Sequence, residues 1–111
     1  MPNTNLKSGM TLPEMQRYIK EVCKENGWNK DTTEEKFLLF TEEVGELAKA
    51  VRKSKGLYSE DAKNDKNARL NLEEEFADVL SYLIDLANMH GVDLETEFIK
   101  KETHNRKRVW K

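Results

Sequence analysis

Two stretches of the sequence carry acidic side chains at matching positions. The first is FTEEVGELAKAV, and the second, at an offset of 32 residues, is LEEEFADVLSYL. In this alignment Glu43 matches Glu75. Glu46 matches Asp78, and apolar residues match apolar residues throughout. At about 100° per residue, each acidic pair lies along one flank of an apolar helical stripe. The positions of the two stripes that are expected to be core include Phe37, Val44, Val51, Phe76, Leu80 and Leu83. The sequence therefore predicts two similar helices, each with a carboxylate pair at i, i+3 beside its buried face.

Four carboxylates of this kind predict a metal site. If the two helices pack side by side, their acidic flanks can converge, as paired helices do in di-metal bundles. The cluster holds no Cys or His, so its hard oxygen ligands suit Mg²⁺ or Mn²⁺ better than Zn²⁺. Such an ion can bridge phosphate oxygens and make a bound water nucleophilic. An ordinary solvated acidic helix face is the alternative interpretation.

Four helices are predicted from start and stop signals. Thr-x-x-Glu capping boxes at Thr11 and Thr32 begin the first and second helices. The third helix is predicted from about Ala68 to Met89, and Asp93 caps the fourth. No strand-like alternation of useful length occurs. The predicted fold is therefore all-α, a bundle of four main helices.

The remaining segments extend or connect these helices. Residues 1–10 are expected to form a flexible leader, and residues 11–111 a single helical domain. The polar stretch 54–67 has no periodicity and predicts a loop long enough to act as a lid. Gly45 lies inside the second helix, where Gly costs ~1 kcal/mol relative to Ala. This position suggests close approach by another helix, from this chain or from a second subunit.

The fourth predicted helix turns polar along the stripe that should face inward. Its stripe begins with Leu94 and Phe98 and continues at the same spacing through three polar residues, Lys101, Asn105 and Arg108. A buried charge needs a partner. A bound phosphate could be that partner, and a frayed basic C-terminus is the alternative.

Composition limits the classes of function. Charged residues make up 36% of the 111 residues, the net charge is −2, and the mean hydropathy is −0.85. The last twelve residues hold six Lys or Arg against one Glu. Carboxylates in one region and a basic helix in another suit a metal-bound polyphosphate better than a nucleic acid polymer. The single Cys23 excludes an internal disulfide and fits a reducing compartment. No membrane-spanning or signal-peptide pattern is found, and the predicted location is the cytoplasm.

The acidic pattern resembles that of a known family. E-E-x-x-E at residues 42–46 and E-x-x-D at residues 75–78 are similar to the motif of MazG-like nucleoside triphosphate pyrophosphohydrolases, in the all-α NTP pyrophosphatase superfamily. The likeness extends through DVLSYLIDLANMHGVDLE to K-x-x-x-N-x-x-R, from about Trp28 to Arg108. It implies Mg²⁺-dependent hydrolysis of a nucleoside triphosphate, often a deoxynucleotide or a non-standard one, to the monophosphate and pyrophosphate. House-cleaning of the nucleotide pool is the implied role.

The resemblance also implies roles for individual residues. The implied metal ligands are the four matched acids, Glu43, Glu46, Glu75 and Asp78. The implied contacts to phosphate and sugar are Lys101, Asn105 and Arg108. As in dCTP-pyrophosphatase-like relatives, the base pocket would be lined by Trp28 and Tyr82, although Trp28 equally suits a plug at the end of the bundle. Glu42 lies roughly 160 to 180° from the apolar stripe. Its interpretation stays open among support of a ligand, a base that orients water, and a solvated side chain.

Other classes of function remain open at this level. The chain could be a helical regulatory module that binds a nucleotide or a divalent ion without turnover, or an oligomerisation protein with no ligand. Within the enzyme class, a phosphoribosyl-ATP pyrophosphohydrolase is the related alternative. A chain of this size buries only a modest core, so a homodimer or a dimer of dimers is expected.

Overall fold

The computed structural model describes residues 6–57 and 66–108. These residues form four α-helices, with one short 3-10 helix, Trp28–Lys30, after the first. The α-helices are α1 (Leu12–Glu25), α2 (Thr33–Ser54), α3 (Lys66–Met89) and α4 (Leu94–Arg106). Within the described ranges there is no strand, which confirms the predicted all-α class. The predicted lid lies mostly in residues 58–65, which are outside the described residues, as are residues 1–5 of the predicted leader.

The predicted capping boxes begin α1 and α2. The Thr11 hydroxyl accepts a hydrogen bond from the backbone N–H of Glu14 at 3.2 Å, and the Glu14 carboxylate accepts one from the N–H of Thr11 at 2.8 Å. Thr32 and Glu35 make the same reciprocal pair at 3.1 and 2.9 Å. Each box satisfies two N–H groups that a helix start leaves without an intrahelical partner.

The turn between α3 and α4 also follows its sequence signals. Gly91 has a φ of +66°, the left-handed conformation that ends a helix at little cost for Gly. The Asp93 carboxylate then accepts a hydrogen bond from the N–H of Thr96 at 2.9 Å and caps α4. The predicted end of α3 and start of α4 are therefore confirmed.

The chain divides into two compact units, one of which is discontinuous in sequence. The terminal unit consists of Met1–Lys30 and Ile84–Lys111, and the central unit consists of Asp31–Leu83. The terminal unit contains α1, α4 and the last turns of α3, whereas the central unit contains α2 and the preceding turns of α3. Both predicted acidic stretches fall in the central unit.

Hydrogen bonds of Gln16 link the two sequence segments of the terminal unit. Gln16 on α1 donates from Nε2 to Asn88 Oδ1 and to the carbonyl oxygen of Val92, both at 2.9 Å. Its Oε1 accepts from the N–H of Leu94 at 3.0 Å, and Asn88 Nδ2 donates to the Gln16 carbonyl oxygen at 2.9 Å. Gln16 thus provides a second cap for α4 from a residue that is distant in sequence.

Several positions predicted as core are exposed in the single chain. Buried apolar side chains are found, among others, at Cys23, Ala50, Leu72, Ile84 and Leu86. In contrast, the exposed large apolar side chains include six predicted core residues of α2 and α3, namely Phe37, Val44, Val51, Phe76, Leu80 and Leu83. The prediction that the chain buries these six is wrong, because no described part of the chain covers their face of the helices.

The prediction that one stripe of α4 faces inward is also wrong for the single chain. Phe98 is 63% exposed, and Lys101 and Arg108 are exposed as well. Leu94 and Asn105 are half-buried. None of the helices in the described residues combines the length and the hydrophobicity of a membrane span.

The α2 capping box yields the first prediction. Thr32→Ala removes the side-chain acceptor for the N–H of Glu35 and should lower the free energy of unfolding by about 1 kcal/mol. Urea denaturation followed by circular dichroism, at one fixed protein concentration, measures this loss. Thr41→Ala is the control, because the Thr41 hydroxyl only donates to the Phe37 carbonyl oxygen within the helix. Equal losses in both variants would contradict the importance of the cap.

Candidate metal centre

Three carboxylates from two helices meet in the central unit. Glu43 projects from α2, while Glu75 and Asp78 project from α3. One carboxylate oxygen from each residue lies within 4.8 Å of the other two. The structure therefore brings together three of the four acids that the sequence pairs across the repeat.

The positions of these acids follow from the buried faces of their helices. On α2, Lys36, Glu43 and Ala50 are spaced by seven residues, and they share one face. Lys36 and Ala50 are buried, and Glu43 between them is half-buried. On α3, Glu75 is half-buried and Asp78 is exposed. The cluster thus begins at the contact between the helices and opens toward solvent at Asp78.

The cluster perturbs the acidity of Glu43. Burial is the largest cause that raises the pKa of the Glu43 carboxyl, and the negative charges of Glu75 and Asp78 raise it further. Both causes disfavour the charged form, because a carboxylate loses hydration on burial and is repelled by like charges. A cation placed among the three oxygens would reverse the balance and favour three ionised carboxylates.

One oxygen of the cluster lacks a hydrogen-bond partner. The Oε2 atom of Glu75 is buried, and no described residue donates a hydrogen bond to it. A buried acceptor without a partner is costly, and coordination of an ion is one way to satisfy it. The donor set consists of carboxylate oxygens alone, which suits a hard divalent cation such as Mg²⁺. The residues present therefore fit the ion that the sequence predicts.

The other two predicted acids lie on α2 outside this group of three. Glu46 is exposed one turn after Glu43, and its charge contributes to the raised pKa of Glu43. It is near the cluster, but it is not among the residues whose oxygens converge. Glu42 is exposed and also lies outside the group. Their predicted roles stay predictions.

The two aromatic candidates have different surroundings. Tyr82 lies one turn after Asp78 on α3, is half-buried, and belongs to the same central unit as the acids. Trp28 begins the 3-10 helix of the terminal unit and is 51% exposed. Tyr82 is thus the aromatic candidate that shares a helix with two of the acids.

The cationic candidates belong to the terminal unit. Lys101 and Asn105 lie on α4, and Arg108 follows its end. The Asn105 side chain donates to Glu102 Oε2 at 3.3 Å, and the backbone N–H of Arg108 donates to the Asn105 carbonyl oxygen at 3.1 Å. Lys101 and Arg108 are both exposed to solvent in this chain.

One charged residue of the central unit was not predicted from the sequence. Lys36 is only 4% exposed, and its Nζ lies 3.7 Å from Asp31 Oδ2. Buried lysines are rare unless they are paired. The signal was present in the sequence, since Lys36 precedes Glu43 by seven residues and so lies on the same helical stripe.

Comparison with known proteins identifies the family. The sequence model of the MazG nucleotide pyrophosphohydrolase domain matches residues 31–110, a range that contains the acidic cluster and α4. The chain belongs to the MazG nucleotide pyrophosphohydrolase family. The resemblance seen in the sequence motifs is thereby confirmed. A relative in Bacillus subtilis (strain 168), the uncharacterized protein YvdC, is 35% identical over 89 residues, which cover 78% of this chain and 84% of YvdC.

The raised pKa of Glu43 gives the second prediction. In the folded protein the pKa of Glu43 is raised above its ordinary value of 4.5, so its ionisation destabilises the fold as the pH rises through that range. Without divalent cations, Glu43→Gln should therefore raise the melting temperature at about pH 7, and the gain should vanish as the pH falls toward 4.5. Differential scanning fluorimetry across this pH range measures both effects.

Addition of millimolar Mg²⁺ should stabilise the native protein more than the variant, because Glu43→Gln removes a ligand charge. Glu73→Gln is the matched control, since Glu73 is an exposed residue of α3 that pairs with Arg69 at 3.5 Å. A destabilising effect of Glu43→Gln in the absence of metal would contradict the electrostatic account of the cluster.

Proposed function

We propose that this protein is a Mg²⁺-dependent nucleoside triphosphate pyrophosphohydrolase that releases a nucleoside monophosphate and pyrophosphate. The observation that carries the proposal is the convergence of Glu43, Glu75 and Asp78, with an unpaired buried oxygen, in a chain of the MazG family. A deoxynucleoside triphosphate or a non-standard nucleotide is the proposed substrate, and removal of such nucleotides from the cytoplasmic pool is the proposed role.

The three converging acids would hold the ion. Glu46 would join them after rotation of its side chain, because it lies one turn from Glu43. When bound, Mg²⁺ supplies positive charge opposite the phosphate oxygens and lowers the pKa of a coordinated water. The protein contributes a fixed arrangement of oxygens on two helices, which need not reorganise during the reaction. Glu42 is the proposed residue that orients the attacking water from the adjacent helix position.

The remaining candidates would bind the rest of the nucleotide. Lys101 and Arg108 offer positive charge to a triphosphate, and Arg108 can do so with two parallel hydrogen bonds. Asn105 offers an amide that can both donate to and accept from a sugar hydroxyl. Tyr82 and Trp28 provide aromatic surfaces for the base, on which stacking is tolerant of base identity.

The active species is proposed to be a homo-oligomer. Large apolar side chains of α2 and α3 are exposed in the single chain, and exposed apolar surface of this kind favours an interaction with a partner. A second copy of the chain would supply the missing cover.

A substrate panel provides the third prediction. With Mg²⁺, the protein should convert at least one member of a panel of dNTPs, NTPs and phosphoribosyl-ATP to the monophosphate product and pyrophosphate. Glu75→Gln and Asp78→Asn should each lower kcat/KM by at least roughly 100-fold, because each removes a ligand charge from the metal site. Ion chromatography of the products gives the rates and the position of cleavage.

Glu73→Gln should retain the native rate, because its exposed ion pair contributes little to stability. Tight nucleotide binding without turnover across the panel would instead favour the regulatory module. Orthophosphate as the first product, or full activity of both cluster variants, would overturn the proposal.

A further inference from the structure

A cleft opens in the terminal unit between α1 and the turn that joins α3 to α4. Its volume is about 340 Å³, which lies in the range of pockets that hold a small molecule. One wall is α1, with Arg17 and Lys20, and the other is the turn, with Val92 and Asp93. We call this space the α1–turn cleft. All of its lining residues belong to the terminal unit, whereas the acidic cluster belongs to the central unit, so the cleft is a second candidate site.

Two half-buried amides of the lining connect the two walls. Gln16 Nε2 donates to Asn88 Oδ1, and Asn88 Nδ2 donates to the Gln16 carbonyl oxygen, both at 2.9 Å. The Gln16 side chain also bonds the turn, at the carbonyl oxygen of Val92 and the N–H of Leu94. The cleft is therefore preformed, and a ligand does not have to order its walls on binding.

Arg17 and Lys20 give the α1 wall two positive charges. They lie three residues apart, so their side chains are neighbours on the helix surface, and both are exposed. Among the described residues, neither side chain takes part in an ion pair. A guanidinium can donate two parallel hydrogen bonds to an oxyanion, and an ammonium adds a second charge. Two such cations match a phosphomonoester, with about −1.5 to −2 charges near pH 7, better than a singly charged carboxylate.

Asp93 on the other wall limits what the rest of the ligand can be. Its Oδ1 atom accepts a hydrogen bond from the N–H of Thr96 at 2.9 Å in the cap of α4, whereas its Oδ2 atom takes no part in that cap. A carboxylate repels a second anionic group and accepts a hydrogen bond from an amino group. Pro13 and Val92 add apolar lining for the carbon skeleton between the two ends of a ligand. The lining thus favours a molecule with a phosphate at one end and an amino group at the other.

We propose that the α1–turn cleft binds a small phosphomonoester that also bears an amino group. Nucleoside monophosphates and phosphorylated amines are the two sources of this chemistry. The cationic wall precedes residue 31, so it lies outside the range that the MazG domain model matches. The site shares no residue with the acidic cluster, and the inference therefore does not rest on the proposed pyrophosphohydrolase activity.

Isothermal titration calorimetry at about pH 7 and low salt tests the ligand class, with EDTA present so that the acidic cluster holds no divalent cation. AMP and phosphoethanolamine carry both groups, glycerol phosphate carries only the phosphate, and adenosine carries only the amino group. At least one of the first two should bind roughly tenfold more tightly than either of the last two. The tighter of AMP and phosphoethanolamine identifies the source. Failure of both to bind, or equal affinity for glycerol phosphate, would overturn the inference.

Substitutions on α1 test the position of the phosphate. Arg17→Gln and Lys20→Gln should each weaken binding of the tighter probe roughly tenfold, because each removes a charge-assisted hydrogen bond. Lys24→Gln is the matched control, since Lys24 is an exposed lysine of α1 that does not line the cleft. Circular dichroism checks that every variant keeps the native helical content. An equal loss from Lys24→Gln, or a loss from Lys101→Gln on α4 with none from Arg17→Gln, would overturn the site.

A substitution on the opposite wall tests the position of the amino group. Asp93→Asn removes the carboxylate charge and keeps the cap of α4, because Asn and Asp cap helices about equally well. The variant should bind glycerol phosphate more tightly, since the repulsion of its phosphate is lowered, and its preference for the amino-bearing probe should fall several-fold. An unchanged ratio of the two affinities would overturn the role of Asp93 and with it the proposed ligand class.

Discussion

The central unit brings three like charges together, at Glu43, Glu75 and Asp78. Two helices that pack through apolar side chains have no need of three acids at their contact, and burial of Glu43 makes its ionisation costly. At neutral pH the arrangement loses stability unless something offsets the repulsion. A divalent cation held among the three carboxylates would offset it.

The duplication of the acidic stretch explains how two helices can share one site. Matching helices present matching faces, so a buried stripe that contains one acid and an exposed apolar flank recur on both α2 and α3. When the buried stripes pack together, each flank of one helix meets its equivalent on the other. One pairing of the helices then builds both the acidic cluster and an exposed apolar surface.

The features that the sequence predicted well are local ones. The capping boxes at Thr11 and Thr32 are recognisable because their partners lie three residues away. The repeat pairs Glu43 with Glu75, and the structure brings these two acids together. The exposure of Phe76 was not predictable, since periodicity identifies an apolar face but does not say whether the same chain covers it. Nor was the position of Glu46 outside the converging acids, because spacing sets the direction of a Cβ but not the rotamer of a long side chain.

The hydrogen bonds of Gln16 have a consequence for the order in which the protein can form. They join residues 72 to 78 positions apart, whereas the central unit is one continuous segment. Closure of so long a loop costs entropy before the contacts that offset it are gained. During synthesis, α1 must wait until residue 94 has left the ribosome before its glutamine can cap α4. The segment with the acids can thus fold first, and α1 joins the α3–α4 turn last.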